Sequence, residues 1–298
     1  EIARKNLSLT VSNEVTKVYD GKKAWTNGMT DDSVTLHTGD IVTGDSVNLS
    51  NSYQMGSAFN SKNVADAKTF TYDDIRLSGA DAANYTLQGR YADGSAAAVS
   101  ENPGGSFKII TKGRIIPKLL DVALDNAAIH KEYDGTKLVA DRAGAGTHFS
   151  TVENITTPTA HSYRRDAEGK AQSLDIAGVT GDDGAETLHV SLANRAPEYD
   201  DSNVRYDANG VPESMPVTYW LRWDDANYRL AGAAGWTLTG AQQGELKTAG
   251  TILPKEVTAS ISGTIWKTYD GTLDMGDAAG RAMHNIRFTG LTVPGETD

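Results

Sequence analysis

The chain has 298 residues, is 39% hydrophobic and carries a net charge of −11, which gives room for about two ordinary domains, each with its own core. The excess of acid argues against nucleic acid or an anionic membrane surface as partner, and no apolar run reaches the length of a membrane span. There is no cysteine, so disulfides, thiolate catalysis and cysteine zinc sites are excluded.

Read from its start, the chain opens on Ile2-Ala3-Arg4-Lys5, a degenerate form of a boundary text that returns as Ile115-Ile116-Pro117-Lys118 and Ile252-Leu253-Pro254-Lys255. Leu7, Leu9 and Val11 then alternate with polar residues, the period of a half-buried strand. KVYDG follows at 17–21, VTGD at 42–45 and Ala83-Asn84-Tyr85-Thr86-Leu87 before the strand text of Phe107 and Ile109. After the first Pro-Lys the order repeats, with KEYDG at 131–135, VTGD at 179–182, alternating Val217, Tyr219 and Leu221, and an Ala-Asn-Tyr-x-Leu element at 226–230. KTYDG at 267–271 and VPGE at 293–296 begin a third round, with helix-like text at 275–284.

These landmarks predict an all-β fold of tandem repeats, each an immunoglobulin-like sandwich in an elongated array; a β-grasp unit with one short helix is the alternative. The expected boundaries are 1–4 for the tail of a preceding repeat, 5–117 and 118–254 for two whole repeats, and 255–298 for a partial third. Tyr to the V-x-G glycine spans 25 residues in the first copy, 48 in the second and 26 in the third, so the second copy carries a 23-residue insertion within 139–174. Half a sandwich cannot bury its apolar face, so strands from outside the sequence or from a neighbouring molecule are expected to complete the third copy.

The threefold motif Tyr19-Asp20-Gly21, Tyr133-Asp134-Gly135 and Tyr269-Asp270-Gly271 reads as a structural corner. Glycine takes positive φ, the aspartate caps nearby amides, and the tyrosine is expected to bury its ring at the sheet's edge, reach backbone with its hydroxyl and pin the turn to the core. Lys17, Lys131 and Lys267 are expected on a solvated face or with their stems packed along the sheet; the sharper alternative is an isopeptide crosslink from a buried lysine to an Asn or Asp. Each Pro-Lys boundary ends a strand and stiffens the junction.

Catalytic motifs are absent: the chain has no G-x-S-x-G, Walker loop, H-E-x-x-H or dinucleotide fingerprint. No metal site or cofactor is expected, with calcium as the one candidate because acids pair at 31–32, 73–74, 182–183, 200–201 and 224–225. Ligand contact, if any, is placed on the insertion, at His148, His161, Tyr163, Arg164 and Arg165.

KVYDG, KEYDG and KTYDGT, together with VTGD, KNV at 62–64, LSGADAANYTL at 77–87 and the closing IIPK and ILPK, resemble the YDG and MBG repeat modules of large bacterial adhesins, including filamentous-haemagglutinin-like exoproteins. The resemblance implies a non-catalytic stalk of an extracellular or bacterial cell-surface adhesin, providing reach and adhesive or biofilm contacts. Its expected partners are a glycan or protein of a host or neighbouring cell, or other copies of itself. The alternative is a binding module that contacts a glycan or host protein through the insertion. The second unit departs from the pattern at Arg222-Trp223-Asp224-Asp225, where LSGADA is expected. A lack of cysteine suits a protein exported unfolded, and any export signal is expected outside a sequence that begins at Glu1.

Overall fold

The fold grows from strands whose alternate residues are apolar. In Lys5–Val11, Leu7, Leu9 and Val11 are fully buried while the residues between them are only half-buried. In Phe107–Ile116, Phe107, Ile109, Thr111, Gly113 and Ile115 face inward, and Ile110, Lys112, Arg114 and Ile116 face outward. A computed structural model describes residues 2–26, 29–30, 33–50, 52–124, 129–139, 152, 155–232, 237–238, 242–261, 269, 271–272 and 286–289. Strand accounts for 53% and helix for 5%, so the fold is all-β. The one α-helix among the described residues is the single turn Tyr53–Gly56.

The first unit has two principal sheets with no strand in common. Lys5–Val11 runs parallel to Tyr85–Tyr91 in one sheet, beside the antiparallel Val34–Leu36. The chain then crosses at Ser12 and Asn13, and Glu14–Val18 runs parallel to Lys112–Ile116 in the other sheet, where Thr69–Ile75 lies antiparallel on the far side. Thr111 fixes the crossing, because its hydroxyl lies 2.7 Å from the carbonyl oxygens of both Ser12 and Asn13.

The second unit repeats the plan. Lys118–Leu124 runs parallel to Tyr228–Gly232, and Ile129–Glu132 runs parallel to the end of Gln243–Leu253. The register is conserved between the units: Lys5 faces Tyr85 as Lys118 faces Tyr228. The insertion contributes the hairpin of His161–Arg165 with Ala171–Ile176, which extends the larger sheet at its edge.

No strand pairing among the described residues crosses Pro117, and only that residue separates the strand ending at Ile116 from the one starting at Lys118. A proline has no amide hydrogen for the ladder, so it ends one sheet where the next begins. Of the third copy, Thr258–Ile261 pairs antiparallel with Ile286–Thr289. Its helix-like text, Asp270 and Val293–Glu296 lie outside the described residues, and so does the question of what completes it.

Candidate interaction site at the junction of the two units

The first two Lys-x-Tyr-Asp-Gly corners are built around their lysines, and Lys267 lies outside the described residues. The side chain of Lys17 is 3% exposed and that of Lys131 is 0% exposed, which corrects the expectation of a solvated face. Lys17 Nζ lies 2.8 Å from Asp20 Oδ1 and 2.5 Å from the carbonyl oxygen of Lys22. Lys131 Nζ lies 2.6 Å from both Asp134 Oδ1 and the carbonyl oxygen of Thr136. The two ammonium groups also sit over the rings of Phe59 and Tyr199, at 5.3 and 5.7 Å from the centroids. Turn carbonyls and a carboxylate thus replace the water that burial removes.

The same aspartate oxygen caps the turn, accepting the Lys22 amide in the first corner and the Thr136 amide in the second. Burial pushes the Asp134 carboxyl upward, but the bonds from Lys131 and from the Thr136 amide and hydroxyl outweigh it and hold the group below the usual carboxylate value. Gly21 and Gly135 both have φ of +73°, a conformation that costs most residues about 1–2 kcal/mol. The amides of Tyr19 and Tyr133 each donate to the last residue of the closing strand, Ile116 or Leu253, at 2.8 Å. This ties each corner to the boundary motif of its unit and therefore to the point where the chain leaves it.

The first corner enters the second unit at its V-x-G-D and Ala-Asn-Tyr elements. Tyr19 is 2% exposed, and its ring meets that of Tyr228 edge to face at 5.4 Å, a contact worth about 0.5–1.5 kcal/mol beyond burial. Both hydroxyls donate to one carboxylate, Tyr19 to Glu186 Oε1 at 2.6 Å and Tyr228 to Glu186 Oε2 at 2.5 Å. The Tyr228 oxygen also accepts the Val179 amide at 2.9 Å. Burial first, and the neighbouring Glu186 second, push both phenols above their ordinary value. The tyrosine expected to pin the corner to the core is buried, and the ring and carboxylate it meets belong to the next unit.

Backbone meets backbone beside this pair. The Asp182 amide donates to the Gly21 carbonyl at 2.9 Å, and the Lys23 amide donates to Asp182 Oδ2 at 3.0 Å. A Cβ on Gly181 would lie 2.4 Å from the Gly21 oxygen, and one on Gly21 would lie 2.7 Å from the Gly181 Cα. Neither position has room for a side chain. The KNV loop closes the joint: Lys62 Nζ lies 2.6 Å from Asp183, the Val64 amide donates to Asn227 Oδ1 at 2.9 Å, and Asn227 Nδ2 donates to Asn63 Oδ1 at 3.3 Å. The Asn227 carbonyl accepts the Lys118 amide at 2.8 Å. YDG, V-x-G-D, KNV, A-N-Y and the Pro-Lys boundary therefore converge at one junction.

The other corners differ in what covers them. Tyr133 is half-buried and Tyr269 is 91% exposed; Asp270 lies outside the described residues, and Gly271 has φ of +81°.

The insertion residues satisfy one another locally. His148 lies outside the described residues. His161, Tyr163, Arg164 and Arg165 stand along the edge strand of the hairpin. The His161 ring is 6.0 Å from that of Tyr163, Tyr163 donates to the Ile155 carbonyl at 2.9 Å, Arg165 donates to the Gly169 carbonyl at 2.8 Å, and Arg164 lies 3.6 Å from Asp175. A polar cleft of about 270 Å³ lies beside the hairpin, lined by Lys170, Gln172, Ser191, Asn194 and Arg222. Sequence reading missed this cleft because Ser191, Asn194 and Arg222 come from outside the insertion. Arg195, next to it in the chain, stacks over Trp220 at 3.6 Å.

Of the paired acids, Asp31 and Asp32 lie outside the described residues, and the others serve turns and ion pairs. Asp182 and Asp183 belong to the junction, Asp200 pairs with Arg205, Asp201 caps the Asn203 amide, and Asp225 caps the Asn227 amide. Among the described residues, no group of three or more His, Cys, Asp or Glu side chains is placed to hold a metal ion, and no helix is long and apolar enough to cross a membrane.

Residues 3–95 match the family model of the YDG domain, a span that runs from the chain's start through the first Ala-Asn-Tyr strand. No curated protein and no solved structure matches the chain.

Proposed function

We propose that this chain is a non-catalytic stalk segment of a bacterial cell-surface or secreted adhesin, built of YDG-type repeats joined head to tail. Its work is mechanical: it holds successive β units in a fixed relation and so gives reach to an adhesive surface, with biofilm or host contacts made at that surface. The supporting observation is the junction. The Tyr19–Gly21 corner of one unit is buried against the Val179–Asp182 and Tyr228 elements of the next, with one residue of linker. Short, contact-rich junctions favour a rod over beads on a flexible string. Small-angle scattering of the full chain tests this. An extended particle of one shape is expected, and Gly181→Ala is expected to broaden its distance distribution. A compact wild-type particle, or identical curves for the two proteins, overturns the reading.

A second reading has the cleft beside the insertion hairpin in its favour. Lys170, Gln172, Asn194 and Arg222 offer cationic and amide groups to an acidic glycan or a protein carboxylate. Loss of glycan or cell binding on replacing Lys170 and Arg222 by alanine, with the thermal midpoint unchanged, is the outcome that favours it.

A further inference from the structure

The first unit carries the counterpart of the junction socket at the end where the chain enters it, and its contacts are open. Tyr85 stands where Tyr228 stands, 2% exposed and in the same register with its opening strand. Its oxygen accepts the Val42 amide at 3.0 Å, as that of Tyr228 accepts the Val179 amide at 2.9 Å. Its hydroxyl donates to a carboxylate, Asp45 Oδ2, at 2.6 Å, as Tyr228 donates to Glu186.

Four further parts match the engaged socket but lack the engaging partner. Glu186 uses its second oxygen for Tyr19, whereas Asp45 Oδ1 accepts no hydrogen bond among the described residues. Gly181 is pressed against Gly21, whereas a Cβ on Gly44 would meet nothing within 4 Å. Asn227 binds the Val64 amide and Asn63, whereas its counterpart Asn84 is exposed and its side chain makes no hydrogen bond among the described residues. Val42, the counterpart of the half-buried Val179, is 48% exposed. One difference stands: Gly44 lies in a turn closed by the bond from the Asp45 amide to the Val42 carbonyl, whereas Gly181 pairs with Gly184 across a hairpin tip.

We infer that Val42–Asp45, Asn84 and Tyr85 form a docking site for the Lys-x-Tyr-Asp-Gly corner and KNV loop of a second copy of the first unit, placed ahead of this one in head-to-tail order. The incoming tyrosine donates its hydroxyl to Asp45 Oδ1, beside the Tyr85 hydroxyl that already donates to Asp45 Oδ2. The incoming glycine faces Gly44, and the incoming Val64 amide donates to the Asn84 side chain. Complementarity in charge follows the engaged joint, where Lys62 pairs with Asp183; here the incoming lysine approaches Asp45. The inference rests on the stalk reading and extends it to a site that nothing in the chain occupies among the described residues.

The test uses the chain from Lys5 to its end with a copy of residues 5–117 joined in front, so that the added Pro117 leads directly into Lys5. Backbone amide exchange is followed at residues 43–45 and, in the same sample, at Asp182. About tenfold slower exchange at 43–45 than in the unextended chain is expected, as for amides covered by a packed neighbour. The gain is expected to vanish when the added copy carries Gly21→Val and to fall when it carries Tyr19→Phe, a change that keeps the ring. Protection of the added copy's own core strands reports that it is folded. Unchanged exchange at 43–45 with Asp182 protected overturns this inference alone. Exchange as fast at Asp182 as at an open loop overturns the stalk reading as well.

Discussion

At the scale of residues, the corner lysine is the feature with the largest predicted effect. Lys131 is wholly buried, and among the described residues its charge partner in the corner is Asp134, 12% exposed. Breaking a buried pair by removing one member costs about 3 kcal/mol. Lys131→Met is therefore expected to lower stability by about that amount in urea denaturation, and Lys17→Met by less, because Asp20 is 31% exposed and recovers water. The pH dependence has two arms. Asp134 is held below its ordinary value in the fold, so its contribution is complete above the unfolded carboxylate value of about 4 and is lost as pH falls through the folded one. Tyr19 and Tyr228 are raised in the fold, so theirs is complete below the unfolded phenol value of about 10 and is lost as pH rises through the folded ones. Tyrosinate absorbance is expected to show a late-ionising step whose amplitude falls by one tyrosine in Tyr19→Phe. The intact mass is expected to equal that of the unmodified sequence, since Lys131 and Asp134 are arranged as an ion pair with the acid favoured in its charged form, whereas amide formation needs a neutral acid and amine.

At the scale of elements, Gly181 separates joint from fold. It lies outside the positive-φ region, and the atoms a Cβ would strike belong to Gly21 of the other unit. Gly181→Ala is expected to leave the far-ultraviolet spectrum unchanged while protease cleavage near Pro117 rises about tenfold. An unchanged cleavage rate would show that the contact contributes nothing to holding the units together. Sequence periodicity made the strands legible, since Leu7, Leu9 and Val11, or Val217, Tyr219 and Leu221, alternate with polar neighbours and are buried as expected. The motifs were legible as recurring marks, but their destination was not. Tyr19 is followed by the same Asp-Gly turn whether its ring meets its own sheet or another unit's, and its partner Glu186 stands 167 residues away in a position no repeat marks. The burial of Lys17 was hidden for a similar reason, because carbonyls of Lys22 and Ala24 solvate it and carbonyls carry no sequence signature. The parallel pairing of opening and closing strands also leaves no local trace, since it depends on residues about 100 apart, such as Glu14 and Lys112.

At the scale of the whole molecule, the chain passes from unit to unit through Pro117 alone, and the units meet through an interface that buries both tyrosines. The two should unfold with some coupling. Calorimetry is expected to show one broadened transition in the wild type that splits in Gly181→Ala, because the variant removes the contact but leaves each core. The parallel register of Glu14–Val18 with Lys112–Ile116 has a further consequence. In a parallel pair the start of one strand and the end of the other lie at opposite ends, so tension applied along the chain slides the strands past each other and loads every rung of the ladder together. An antiparallel pair held in the same way would open one rung at a time. Stretching this protein from its ends is thus a shearing of the closing strand against the strand that follows the crossing, Glu14–Val18 in the first unit, and each unit is expected to yield abruptly, at high force, rather than peel.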